Sequence, residues 1–83
     1  MRGLRLPDDA SVLGACEYAR INGVWHACSP NGLLANLAGH QVIEHDNGTI
    51  TVSPSIEVTN TINYWHGYLQ AGVWSTLASV GCF

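Results

Sequence analysis

The chain reads as a small all-β domain: an antiparallel meander, sandwich or open barrel of about six short strands built from hairpins. Three observations predict it. Asn-Gly occurs at Asn22-Gly23, Asn31-Gly32 and Asn47-Gly48, and this pair favours the two-residue hairpin turn in which both central residues take positive φ. Apolar and polar residues alternate on either side of those turns. No heptad repeat, low-complexity tract or linker interrupts the series. With 83 residues the chain makes one domain, 1–83, because a second would need roughly 50 residues of its own.

Residues 1–10 form an N-terminal arm, and Asp9–Ala15 fits one helical turn. The first hairpin runs Ala15–Ile21, Asn22-Gly23, Val24–Cys28, which sets Arg20 opposite Trp25, Tyr18 opposite Ala27 and Glu17 opposite Cys28. Leu33–Leu37 is short and fits strand or loop. The second hairpin runs Gln41–Asp46, Asn47-Gly48, Thr49–Ser53. A two-residue loop there pairs Ile43 with Val52 and His45 with Ile50, so that these four share the buried face. Val42, Glu44, Asp46, Thr49, Thr51 and Ser53 then face solvent. The third hairpin runs Ile62–Leu69, a Gln70-Ala71-Gly72 turn, and Val73–Ala78. Gly72 suits a two- or a three-residue loop, so the faces of Trp65, His66 and Tyr68 relative to Trp74 stay open. Pro30 and Pro54 mark strand ends or edges. Gly23-Val24-Trp25 and Gly72-Val73-Trp74 echo one another, as β-branched and aromatic residues do in strands.

Composition narrows the function classes. Three Arg, no Lys and six acidic residues give a net charge of −3, with 11% charged and 47% hydrophobic residues. Ordinary domains carry about 25% charged residues. Too few cations are present for a phosphate-binding face, which argues against nucleic acid as partner. No apolar run approaches the length of a membrane span, and the first residues lack the apolar core of a signal peptide. Three Cys are too few and too uneven for a disulfide scaffold. Such a surface is either rich in Asn, Ser, Thr and Gly or hidden in an assembly, and a homo-oligomer is the expectation.

Motifs for chemistry are sparse. No Gly-x-Ser-x-Gly elbow, phosphate loop or dinucleotide fingerprint occurs. Glu44 and Asp46 lie on the expected solvent face, and a Cys28–His66 nucleophile pair has nothing to orient it. No zinc-type spacing recurs among the Cys and His. Cys16, Cys28 and Cys82 therefore read as small buried residues, and no catalytic residue, cofactor or metal is assigned. The aromatic residues offer more. If the first and last hairpins pack together, several rings of the cluster Trp25, Trp65, Trp74, Tyr64, Tyr68 and His66 line one concave patch with Arg20 beside it. Such a patch suits a base, nucleotide or sugar, and equally a core or an inter-subunit contact.

A resemblance accompanies these residues. His40-Gln41-Val42-Ile43-Glu44-His45-Asp46-Asn47-Gly48-Thr49-Ile50-Thr51-Val52-Ser53-Pro54-Ser55-Ile56, followed by Trp65-His66-Gly67-Tyr68-Leu69 and Gly72-Val73-Trp74, is similar to a family of small phage and prophage proteins. Their pattern is dGTItvsPSI, a His-containing strand, and Gly-hydrophobic-Trp. The likeness extends from Trp25 to Trp74, with Asp46–Ile56 its specific part. It implies a viral source and no assigned activity. Relatives carry a Cys-Pro-x-Cys knuckle and a later Cys-His pair that look like zinc ligands. Cys28 and His66 are the matching positions here, while Asn31 and Trp65 stand where relatives have Cys. The expectation is a non-catalytic phage interaction protein, self-associating or attached to the virion as a structural or decoration subunit. The alternatives are a host-cytoplasmic counter-defence protein that sequesters a nucleotide-like ligand, and a degenerate zinc module.

Overall fold

The computed structural model describes residues 1–80. Nine strands follow in order: β1 Leu4–Arg5, β2 Glu17–Ile21, β3 Val24–Cys28, β4 Leu34–Asn36, β5 Gln41–Glu44, β6 Ile50–Ser53, β7 Ile56–Thr59, β8 Tyr64–Gln70 and β9 Val73–Val80. They form a four-stranded sheet β1-β2-β3-β4, the β5–β6 hairpin and a three-stranded sheet β7-β8-β9. All pairings are antiparallel except β1 with β2, which is parallel. The domain is all-β, as its turn chemistry and alternation predict. Its three additional strands are β1, β4 and β7, of two, three and four residues. Among the described residues no helix is long and apolar enough to cross a membrane.

The turns explain which registers follow from local sequence. Asn22 (φ 52°) and Gly23 (φ 78°) make the two-residue turn, and Tyr18 pairs with Ala27 and Arg20 with Trp25 as expected. Asn47-Gly48 behaves differently. Gly48 N–H donates to His45 O at 2.9 Å and His45 N–H to Thr49 O at 2.8 Å, so Asp46, Asn47 and Gly48 form a three-residue loop in which Gly48 alone has positive φ. The register therefore slips by one. Val42 faces Val52, Ile43 faces Thr51 and Glu44 faces Ile50. A one-residue slip turns every side chain of a strand to its other face. Ile43 is exposed, and His45 leaves the core side to meet Thr51 Oγ1 at 2.7 Å. Two local terms favour the longer loop: Asn47 Oδ1 accepts from Thr49 N–H and hydroxyl, and no imidazole is desolvated against Ile50.

Ser29-Pro30-Asn31-Gly32 repeats the three-residue design between β3 and β4. The last hairpin closes on a two-residue turn, Ala71 (φ 48°) and Gly72 (φ 76°), with Leu69 opposite Trp74 and a bulge at Leu77, between the pairs Gly67–Thr76 and His66–Ala78. Ile62, expected to begin this hairpin's first strand, lies in the β7–β8 loop, where Asn60 Oδ1 accepts from Ile62 N–H and Asn63 N–H.

Asp9–Ala15 makes no helical turn. The arm is instead extended, because its backbone groups are taken by two sheets. Gly3 N–H donates to Gly72 O and Trp74 N–H to Met1 O, while Leu4 N–H donates to Cys16 O, Leu6 N–H to Tyr18 O and Asp9 N–H to Arg20 O. Tyr18, Ala27, Leu33, Ala35, Leu37, Ile50, Val52, Ile56, Trp65, Leu69 and Trp74 fill one core between the sheets and the hairpin. Burying these side chains is the main favourable term for a domain this small.

Candidate functional site

The residues singled out from sequence fall in three places. Trp65 (0% exposed) and Trp74 (3%) are core residues, packed edge to face with ring centroids 5.2 Å apart. Both indole N–H groups are used: Trp65 Nε1 donates to Thr76 Oγ1 and Trp74 Nε1 to Cys16 O, each at 3.0 Å. A buried indole needs such a partner, and these two have none to spare for a ligand.

Trp25 and Arg20 do meet. They are cross-strand neighbours, and the Arg20 guanidinium stands 5.8 Å from the Trp25 ring centre, with Arg5 nearer at 5.0 Å. Acidic groups balance this pair of cations. Asp8 bonds Arg20 at 2.8 Å and lies 3.7 Å from Arg5, which also pairs with Glu44 and donates to Gly48 O. The hydrogen bond from Arg20 holds the Asp8 carboxyl below its usual range, assisted by the charges of both arginines. Beside this cluster an open groove of about 450 Å³ runs between the arm (Gly3–Pro7), Tyr18 and the Asn47–Thr49 loop. Its cations are already neutralised, so it offers an anion little net charge.

His66 and Tyr68 lie on the opposite face of β8 from Trp65, because side chains alternate along a strand. With them on the outer face of β7-β8-β9 are Glu57, Thr59, Tyr64, Gln70, Val73, Ser75, Ala78 and Val80, as the cross-strand pairs dictate. Tyr68, Val73, Leu77 and Val80 are exposed. Glu57 is the one carboxylate on this face among the described residues, and it accepts the Tyr64 hydroxyl at 2.8 Å. That bond, with burial and the carboxylate charge behind it, raises the Tyr64 pKa.

A polar cluster absent from the sequence reading joins this face. His66 Nε2 and Ser55 Oγ are 2.8 Å apart, and His40 Nε2 lies 3.3 Å from Ser55 O. Ser55 and His66 belong to the two parts of the quoted phage-like pattern, Pro-Ser-Ile and the His-containing strand. Only a fold that brings the start of β7 beside β8 places them together, so separation in sequence hid the pair. Glu57 faces His66 across the ladder but is engaged by Tyr64, so no carboxylate orients the imidazole as a hydrolytic triad requires.

Cys28 is buried at the end of β3. Burial pushes its thiol pKa up, with the nearby Cys16 and Glu17 adding to it, and Cys16 is raised by burial in the same way. A raised pKa suppresses the thiolate that metal binding and nucleophilic attack both need. Among the described residues no three His, Cys, Asp or Glu side chains are grouped to hold a metal. Cys82, read from sequence as a buried thiol, lies outside the described residues.

No protein-family model and no solved structure matches the chain. Matches do occur among curated proteins. Very-long-chain aldehyde decarbonylase GL1-1 of Oryza sativa subsp. indica, and its counterpart in subsp. japonica, are 42% identical over 73 residues, or 88% of this chain and 10% of theirs. Very-long-chain aldehyde decarbonylase GL1-2 of Oryza sativa subsp. indica is 40% identical over 71 residues, 86% of this chain and 11% of that protein. The chain thus spans about a tenth of the length of the curated relatives it matches.

Proposed function

We propose that this chain is a non-catalytic interaction module that associates with copies of itself, or attaches to a larger assembly such as a virion, through the outer face of β7-β8-β9. One observation carries the reading: among the described residues, a nearly uncharged sheet face is left uncovered and exposes Tyr68, Val73 and Val80. Exposed apolar surface on a sheet marks interaction sites, and Tyr is favoured at them. A symmetric contact sets like against like, so a face with a single carboxylate tolerates self-pairing where a charged face would not. The phage-like pattern from Asp46 to Trp74 supports a virion partner. A pocket for a nucleotide-like ligand built from Arg20, His66, Tyr68 and the tryptophans would need residues that here lie in two different sheets, with His66 and Tyr68 on the face of β8 opposite Trp65.

Light scattering on size-exclusion fractions tests this. The wild type should run as a discrete oligomer, and Tyr68→Glu and Val80→Glu should each yield folded monomer. A wild type that stays monomeric at every concentration, or an oligomer that both substitutions leave intact, would overturn the proposal.

A further inference from the structure

We infer that residues 1–9 are an exchangeable strand, and that the groove they fill between β9 and β2 accepts the same segment of a second copy of this chain. The inference rests on the self-association reading but on the arm and the groove it fills, with Val73 the one residue the two readings share. The arm has no sheet of its own. Its first three residues extend β9: Met1 and Trp74 exchange two backbone hydrogen bonds, and Arg2 faces Val73 as an antiparallel bridge. It then crosses to the other sheet and runs parallel to β2, Leu4 opposite Glu17 and Arg5 opposite Tyr18.

The crossing point is a slot. A Cβ on Gly3 would stand 2.8 Å from Trp74 Nε1, 2.9 Å from Cys16 O and 3.0 Å from the Tyr18 ring. The groove therefore selects a strand with glycine at this position, and a second copy of the arm supplies one. On its other side the arm is uncovered: Met1, Leu4 and residues 7–9 are exposed, and the open groove along Gly3–Pro7 flanks it. The connection back to β2, Ala10–Ala15, lies in no strand, and most of it is exposed.

Exchange between copies keeps every arm contact, so it is opposed mainly by the advantage of the tethered arm. For a connection of six residues that advantage corresponds to an effective concentration on the order of millimolar. Exchange should appear near that concentration, or where copies are crowded on an assembly. Shortening the connection removes the advantage. Asp9 bonds Arg20 and must return to Cys16, a distance of about 13 Å along four strand residues. Deleting Ser11–Gly14 leaves two residues between them, which reach only about 10 Å.

The experiment uses full-length chains carrying Cys16→Ser, Cys28→Ala and Cys82→Ser. One set adds Arg2→Cys, a second adds Val73→Cys, and a third carries both. The first two are mixed, refolded together at about 1 mM by the effective-concentration argument, and oxidised with diamide. Mass spectrometry then reads the link between positions 2 and 73. The inference expects this link between different chains, with a yield that rises with concentration, and a dimer of the Ser11–Gly14 deletion, native cysteines retained, at concentrations at least tenfold lower than wild type. A link that forms within the doubly substituted chain but never between chains, together with a monomeric deletion variant, would overturn it. Should the substituted background fail to fold, light scattering on the deletion variant decides alone. Oligomers that persist without the interchain link leave the sheet-face proposal standing and remove this one; interchain links that survive Tyr68→Glu do the reverse.

Discussion

Removing the Asn31 side chain should loosen the whole domain, because this one residue ties three chain segments together. Asn31 is 6% exposed and sits in the β3–β4 turn. Its Nδ2 donates to Tyr64 O at 3.1 Å and Val80 O at 3.3 Å, at the open ends of β8 and β9, and its Oδ1 accepts from Ser29 Oγ at 2.5 Å. Each such bond contributes about 1 kcal/mol net, so Asn31→Ala should cost about 3 kcal/mol. An 83-residue domain has only about 4–12 kcal/mol in total. The corresponding fall in Tm is roughly 12–24 °C, readable by urea and thermal denaturation followed through tryptophan fluorescence. Asn31→Asp sharpens the test. It keeps the acceptor for Ser29 but aims a carboxylate at two carbonyl oxygens, so at pH 7 it should be worse than Asn31→Ala. The folded state then disfavours ionisation and raises that carboxyl above its usual value near about 3.9. The penalty is full above the raised pKa and is relieved as pH falls through it. The Asp variant should therefore gain on the Ala variant between pH 7 and pH 4. A loss under about 1 kcal/mol for Asn31→Ala, or an Asp variant as stable as the Ala variant at pH 7, would refute the clip.

Three further outcomes follow from other parts of the fold. Ala71 occupies the left-handed region at φ 48°, which favours Asn or Gly; Ala71→Asn should raise stability by about 0.5–1 kcal/mol in urea unfolding. A Cβ on Gly67 would lie 2.1 Å from Ser75 O and 2.7 Å from the Trp65 ring, so Gly67→Ala should cost about 2 kcal/mol or more and shift the tryptophan emission. With its thiol buried and its pKa raised, Cys28 should resist iodoacetamide at pH 7.5 in the folded protein and react at once in urea, as peptide mapping would show.

The β2–β3 and β5–β6 hairpins show how far local sequence reached into the fold. Both contain Asn-Gly, yet only Asn22-Gly23 adopts the two-residue turn, and its ladder pairs as expected. At Asn47-Gly48 the Asn side chain finds Thr49 and the loop grows by one residue. That decision is taken jointly by the loop and by which valines reach the core, so it is not written in the dipeptide. The aromatic residues repeat the lesson. Their suitability for strands was legible, but one residue of offset along β8 separates core Trp65 from half-buried His66 on the opposite face.

The sequence by itself determined the all-β class, the hairpin positions and the scarcity of charge, because turn dihedrals, strand alternation and composition are properties of neighbouring residues. Tertiary structure alone decided the rest. It placed the arm across two sheets, brought Ser55 against His66, buried Trp65 on Trp74 and, among the described residues, left the outer face of β7-β8-β9 uncovered. Each of these joins or separates groups distant in the chain. Their positions follow from burying one shared core while satisfying the backbone groups at its edges.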